Sequence, residues 1–344
     1  MALKIGPYTL TSHIVLAPMA GITDHPYRAI CRDYGAGLTV SEMITSDASL
    51  FHTRKTQLRL IQKNEPTPRS VQIVGTDPEV MANAAQFNVE NGANIIDINM
   101  GCPAKKVCNT FAGSALMRDP KLVKTILQAI IKQVSVPVTL KIRTGWGMQH
   151  KNALEIARIA EDCGISSLAI HGRTRTQGYT GFAEYETIRQ IKLHTNIPII
   201  ANGDICNAQD AQFILDYTGA DGLMLGRVTQ GQPWIIKEII DQLHNGKVTD
   251  TLGYDDKVTV MLNHIDAIHR YYGTDQGVRI ARKHIGWYLY NLIGQKQNLL
   301  KSLKKEIFSL NDATKQYHKL AERLVNPDFD HGTVESQLKL QEAC

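Results

Sequence analysis

Eight short β-branched runs recur along the first two thirds of the chain, each followed by a helical pattern. That alternation leaves few folds open. The runs are HIVLAPMA (13–20), LTVSEM (38–43), SVQIVG (70–75), IIDINMG (95–101), VTLKIRTG (138–145), SLAIHGRT (167–174), PIIANGDI (198–205) and GLMLGRVT (222–229). Most are nearly continuous in apolar residues, as parallel strands buried on both faces are. The segments between them read as helices. DPEVMANAAQFNVENGA opens on an Asp cap with Pro in the first turn and stops at Gly92, and DPKLVKTILQAIIKQV repeats that opening. Eight strand–helix units in succession predict a closed (β/α)8 barrel of the TIM type, an α/β fold. A doubly wound sheet would hold fewer strands behind a Gly-rich first turn, and no GxGxxG occurs in the sequence.

After Gly246 the strand signals stop. From Asp255 to Val325 the pattern is helical throughout, with Pro327 closing the last helix. The reading is therefore a barrel over 1–245, a small all-helical bundle over 246–332 and a loosely held tail over 333–344.

With 344 residues, 43% of them hydrophobic, the chain can bury a large core without disulfides. No segment approaches the ~20 apolar residues that span a bilayer, and MALKIGPYTL lacks the pattern of a signal peptide. The six cysteines, at 31, 102, 108, 163, 206 and 344, form no CxxC pair and no zinc-ribbon spacing. A cytoplasmic protein without a metal site is expected. The net charge of +5 permits a polyanionic partner without requiring one. Its distribution says more, because 279–305 holds seven Lys or Arg and no Asp or Glu. Arg279, Arg282 and Lys283 share one side of a helix by their spacing, a face suited to RNA phosphate. The aromatics among them, Trp287, Tyr288 and Tyr290, read as bundle core rather than as stacking platforms.

In a barrel, chemistry sits at the C-terminal ends of the strands. The polar residues there are Gln72 on strand three, Asn99 and Cys102 on strand four, and Lys141 and Arg143 on strand five. His171 and Arg173 follow on strand six, Asn202, Gly203 and Asp204 on strand seven, and Gly226 and Arg227 on strand eight. Glycines followed by polar or basic residues after the last two strands match the phosphate site common in such barrels. Lys141 would then point into the mouth, where a cation can stabilise charge on a reduced flavin.

These motifs carry a resemblance. LAPMAGITDHPYR, VSEM, DINMGCPAKKV, AGSALM, LKIRTGW, IHGRTR, IANGDI and GLMLGR closely resemble the tRNA-dihydrouridine synthases over residues 1–300, and RIARKHIGWYL resembles their B-type bacterial branch. The resemblance implies an FMN-dependent reductase that converts a D-loop uridine of tRNA, position 17 in that branch, to 5,6-dihydrouridine. NADPH, or NADH in its place, would supply the electrons. By carry-over, Pro18, Met19, Ala20 and Gln72 line the flavin and Lys141 contacts its ring. Asn202, Gly203, Asp204, Gly226 and Arg227 hold its ribityl chain and phosphate, and His171 and Arg173 stand at the site mouth. Asn99, Lys105, Lys106, Arg143 and Arg173 meet the RNA, as do the three basic residues of the helical domain. Cys102 is the implied proton donor: hydride reaches uracil C6, and C5 needs a proton from the opposite face. A thiol of ordinary pKa about 8.5 is mostly protonated at neutral pH and can give it.

The bland alternatives are definite. Cys102 could be a small buried hydrophobe, Lys141 a surface lysine, Asp204 a helix cap, and Asp97 an internal polar residue of the barrel. A whole-chain rival is a flavin barrel that reduces a free pyrimidine or a small enone. Another is a non-catalytic RNA-binding protein. A monomer is expected.

Overall fold

The computed structural model describes residues 3–60, 64–248 and 251–325. The predicted tail over 333–344, and the end of the helical domain at 332, lie outside them. The chain divides into two compact units, Met1–Gly226 and the part from Arg227 onward.

The first unit is the expected barrel. Its strands are Ile14–Leu16, Leu38–Thr39 with Ile44–Thr45, Ser70–Val74, Ile95–Met100, Val138–Arg143, Ser167–His171, Ile199–Asn202 and Gly222–Leu225. Every neighbouring pair is parallel. The second strand differs from the prediction of one run over 38–43. Its first segment pairs with Ile14–Leu16 and its second with Ser70–Val74. Val40 bridges Ser70 between them, and this change of neighbour closes the ring. The strands also stop short of the predicted C-terminal ends, because residues such as Pro18, Gly101 and Arg173 leave the ladder to build the loops of the mouth.

Local chemistry fixes the helices. Asp77 accepts from the Val80 N–H at 2.9 Å and Asp119 from the Leu122 N–H at 3.0 Å, each beside a Pro in the first turn. Such caps contribute about 1 kcal/mol each. A hairpin not foreseen in the sequence, Lys4–Ile5 with Tyr8–Thr9, joins the barrel interior. Its Leu3, Ile5 and Leu10 pack with Val15, Val40, Ile95 and Met224 in one buried cluster.

The second unit opens with a 3-10 turn, Arg227–Thr229. Its helices are Ile235–Asn245, Tyr254–Tyr272, Thr274–Ile293, Gln297–Ser309 and Ala313–Val325. The helix Ile235–Asn245 thus groups with the bundle, although the sequence reading ended the barrel at 245. The segment before it explains why. Gly231, at φ +70°, is pressed so close to the Trp287–Tyr288 backbone that a Cβ would lie 2.4 Å from the Trp287 carbonyl carbon. Asn291 also donates to the Gln230 carbonyl at 2.9 Å. Of the three aromatics assigned to the core, Tyr288 is fully buried, Trp287 is half-buried and Tyr290 is exposed.

Candidate active site

The fourth strand leaves the barrel at Met100, and the chain turns sharply to place Cys102 at the lip. Asn99 makes that turn. Its Oδ1 accepts from the N–H groups of Gly101 and Cys102, at 3.2 and 2.9 Å. The Cys102 carbonyl then accepts from Ser114 Oγ at 2.8 Å and from the Ser114 N–H at 3.2 Å. Gly113, at φ +61°, lets that strap approach; a Cβ there would sit 2.9 Å from the same carbonyl oxygen. Cys102 is half-buried and its thiol is free. Burial pushes the thiol pKa up, opposed by the Ala104 N–H and by the charges of Arg143 and Lys141. Cys108 is also a free thiol, 3.5 Å from both the Cys102 carbonyl and Ser114 Oγ, so the two sulfurs are not bridged. Cys31 and Cys163 are also free thiols, whereas Cys206 is disulfide-bonded.

A buried chain of hydrogen bonds orients Asn99. Thr139 donates to Asp97 Oδ1 at 2.6 Å, and Gln72 Nε2 donates to Asp97 Oδ2 at 2.7 Å. Gln72 Oε1 is then left to accept from Asn99 Nδ2 at 2.7 Å. A carboxylate that can only accept settles which way both amides point. Asp97 is therefore an internal polar residue with a positioning task, which the alternation along IIDINM hints at and Thr139 completes. Burial raises its pKa, and the two hydrogen bonds oppose that.

Lys141 lies inside this frame, not on the surface. Its Nζ donates to Asn202 Oδ1 at 3.0 Å, and Asn202 Nδ2 donates to the Met224 carbonyl at 2.7 Å. Burial, then the Arg143 charge, lowers the Lys141 pKa to about 8, while Asp97 and Cys102 act in the opposite sense. Gly203, at φ +116°, brings the next loop against His171, with no room for a Cβ. Gly226 has an open face, since a Cβ there would meet only Ala17 Cβ and Met19 Sδ, both at 3.7 Å. Pro18 and Met19 are half-buried beside it and Ala20 is exposed. Glu42 organises the rim by accepting from the Gly21 N–H and pairing with Arg59 at 3.1 Å.

Three of the residues expected to meet ligand are engaged within the protein. Arg143 and Arg173, expected to meet RNA, are each only 2% exposed. Arg143 donates to the carbonyls of Gly101, Thr174 and Gly178. Arg173 grips Asp204 through both Nη atoms, at 2.7 and 2.8 Å, and reaches the carbonyls of Thr180 and Gly181. These guanidinium groups tie the loops of the mouth together. Asp204, expected at the flavin, is committed to Arg173 and to the Ala183 N–H at 2.6 Å, and Asn207 caps the helix that follows. Lys105 and Lys106 are exposed on the short helix after Cys102.

In the second unit, Arg227 occupies the opening 3-10 turn. Arg279 is exposed, whereas Arg282 and Lys283 are half-buried. Arg282 donates to the Leu310 carbonyl at 3.1 Å and to Asn311 at 2.8 Å, so part of the basic face closes the end of the next helix.

Comparison with known proteins identifies the family. The model of the dihydrouridine synthase (Dus) family matches residues 15–326. The chain is 56% identical over 296 residues to tRNA-dihydrouridine synthase B of Pseudomonas syringae pv. tomato, covering 86% of this chain and 88% of that one. It is 52% identical over 315 residues to the protein of the same name from Shewanella oneidensis, covering 92% and 96%. A solved structure of a variant of NCR from Zymomonas mobilis superposes with a TM-score of 0.51 over 73% of this chain and 92% of that one; at 16% identity it is similar in fold alone. Among the described residues no helix is long and apolar enough to cross a membrane, and no group of three or more His, Cys, Asp or Glu could hold a metal ion.

Proposed function

This chain belongs to the dihydrouridine synthase family, and from that premise we propose that it reduces a D-loop uridine of tRNA to 5,6-dihydrouridine, with FMN as cofactor and NADPH as reductant. The residues at the mouth fit FMN. Lys141 supplies a cation held at the amide of Asn202, and at Gly226 a Cβ would meet only Ala17 and Met19, both at 3.7 Å. Gly203, Gly226 and Arg227, next in the chain, would hold the phosphate. Pro18, Met19, Ala20 and His171 would flank the ring system. When bound, reduced FMN supplies the hydride for uracil C6.

The chain's own residues do the rest. Cys102, with its pKa raised by burial, keeps its proton at neutral pH and delivers it to C5. The Asn99 turn fixes where that sulfur stands. Lys141 stabilises negative charge in the site, and its Asn202 contact sets where the charge lies. The base has to leave the folded RNA to reach this depth. Exposed Lys105, Lys106 and Arg279 would meet the RNA backbone, consistent with a protein that works in the cytoplasm on tRNA.

The observation that carries this reading is the Cys102 backbone held by Asn99 at the lip of the same mouth that contains Lys141. Mass-spectrometric mapping of dihydrouridine in tRNA, from cells lacking and then regaining this gene, tests it. One D-loop dihydrouridine should vanish and return. No change at any position would refute the reading, and activity on free uridine equal to that on tRNA would favour a small-molecule reductase.

A further inference from the structure

Three consecutive loops of the mouth, those after strands four, five and six, bring two arginines onto one tryptophan. The Arg175 guanidinium carbon lies 4.5 Å from the centroid of the Trp146 ring and that of Arg118 lies 4.9 Å from it. The two cations therefore stand no more than 9.4 Å apart, the sum of those two distances. Backbone hydrogen bonds make the arrangement rigid. The Arg175 N–H donates to the Gly145 carbonyl at 2.9 Å and the Thr176 N–H to the Trp146 carbonyl at 3.0 Å. Asn152 Nδ2 donates to the Met117 carbonyl at 2.7 Å, which ties the end of the Arg118 segment to the Trp146 loop.

Neither arginine forms an ion pair with a carboxylate among the described residues, and Arg175 Nε is buried without a hydrogen-bond partner there. The nearest acid in sequence to Arg118, Asp119, caps the helix that follows. Two like charges held around one indole repel each other until an anion arrives. An indole face satisfies the flat side of a guanidinium and leaves its in-plane N–H groups to find hydrogen-bond partners elsewhere, and a phosphate oxygen pair suits such a group.

We propose that Arg118, Trp146 and Arg175 form a phosphate clamp on the RNA strand next to the extruded uridine. The position supports this. Arg118 ends the 3-10 helix Gly113–Arg118, whose Ser114 holds the Cys102 carbonyl. At about 2.0 Å of rise per residue, the clamp stands about 8 Å along that helix from the Cys102 strap. The surroundings favour a strand over a single nucleotide. Met148 is 61% exposed, Tyr179 57% and Phe182 81%, all on the loops that carry Trp146 and Arg175. Unpaired bases stack on such faces, and Lys105 and Lys106 extend the positive rim.

The clamp rests on the tRNA reading, and its test separates the two. Binding of an unmodified tRNA transcript to the FMN-loaded protein is measured across a salt series for wild type, Arg118→Ala and Arg118→Lys. Arg118 is exposed, so its truncation leaves the core intact. Each phosphate contact contributes roughly 0.7 to 0.9 to the slope of log K against log salt. Arg118→Ala should lower the slope by about that amount and weaken binding about sixfold at 0.1 M salt, the same constant read at that concentration. Arg118→Lys should recover most of the slope. An unchanged slope and affinity, with wild type binding tRNA well, would overturn the clamp and leave the proposed function standing. A wild type that binds no tRNA would overturn both. A defect confined to the rate at which NADPH reduces the flavin would assign the phosphate to the dinucleotide, and the clamp would fall.

Discussion

Lys141 should destabilise the flavin-free protein, so replacing it with methionine should make that protein more stable. The ammonium is held in a buried site that lowers its pKa to about 8 from 10.5. A shift of that size, at 1.36 kcal/mol per unit, corresponds to about 3 kcal/mol of cost to folding at pH 7. Lys141→Met removes the cost and also removes the hydrogen bond to Asn202, a loss of about 1 kcal/mol. The net expectation is a gain of about 1–2 kcal/mol, or a rise in Tm of about 2 to 8 °C for a unit of this size. The pH dependence is the sharper part. Between pH 8 and 10.5 the unfolded chain still binds the proton that the folded chain has given up, so wild-type stability rises with pH relative to the variant. By pH 9.5 the penalty has fallen to about 1.4 kcal/mol and nearly cancels against the lost hydrogen bond. Thermal melts of stripped wild type and variant at pH 7.0 and 9.5 measure both effects. A variant less stable than wild type at pH 7, or a difference that does not shrink with pH, would show that Lys141 is not held against a burial penalty.

Other consequences are more direct. Cys102→Ala should retain FMN and oxidise NADPH yet form dihydrouridine at least about 100-fold more slowly, the usual weight of a general acid; product formation at the wild-type rate would remove the thiol from the reaction. The rate of uridine reduction should fall on the alkaline side as Lys141 loses its charge, above the value of about 8 that burial gives it in the flavin-free protein, because the bound anion restores a partner for the ammonium. Lys141→Arg should abolish that limb, and a limb that persists would belong to another group. Arg227→Ala should weaken flavin retention by about 10-fold or more, as loss of a charge-assisted contact does; unchanged occupancy on gel filtration would place the phosphate elsewhere.

What the sequence discloses and what it hides divides along the range of the interaction. The Asp-Pro helix openings are legible because the cap, the proline and the first turn are neighbours in the chain. Apolar runs buried on both faces are equally legible, and all eight strands form. The split in the second strand is not, since Val40 changes partners only because the ring must close on Ser70. Arg143 and Arg173 look like RNA contacts because a basic residue at a strand end has no visible acceptor in one dimension. Their acceptors are loop carbonyls and Asp204, up to 42 residues away for Arg143. Asp97 announces itself by breaking an apolar run, but its task depends on Gln72 and Thr139 from the two adjoining strands. The Arg118–Trp146–Arg175 group spans three loops and leaves no local signature at all.

One physical condition links the two central side chains. Burial raises the pKa of Cys102 and lowers that of Lys141, so it favours the neutral form of each. For the thiol that is the useful state, because an acid must arrive carrying its proton. For the amine it is a cost held in the empty protein, and an anion entering the mouth relieves it by restoring a partner for the charge. The same low-polarity frame therefore keeps the proton on sulfur and makes the lysine ready to receive negative charge. A more open mouth would lose both effects together, since water would ionise the thiol and satisfy the ammonium before any ligand came. The loop ties made by Arg143 and Arg173 matter for that reason. Each buried guanidinium fills carbonyls that would otherwise need water, and the Arg143 charge itself adds to the lowering at Lys141 and opposes the rise at Cys102.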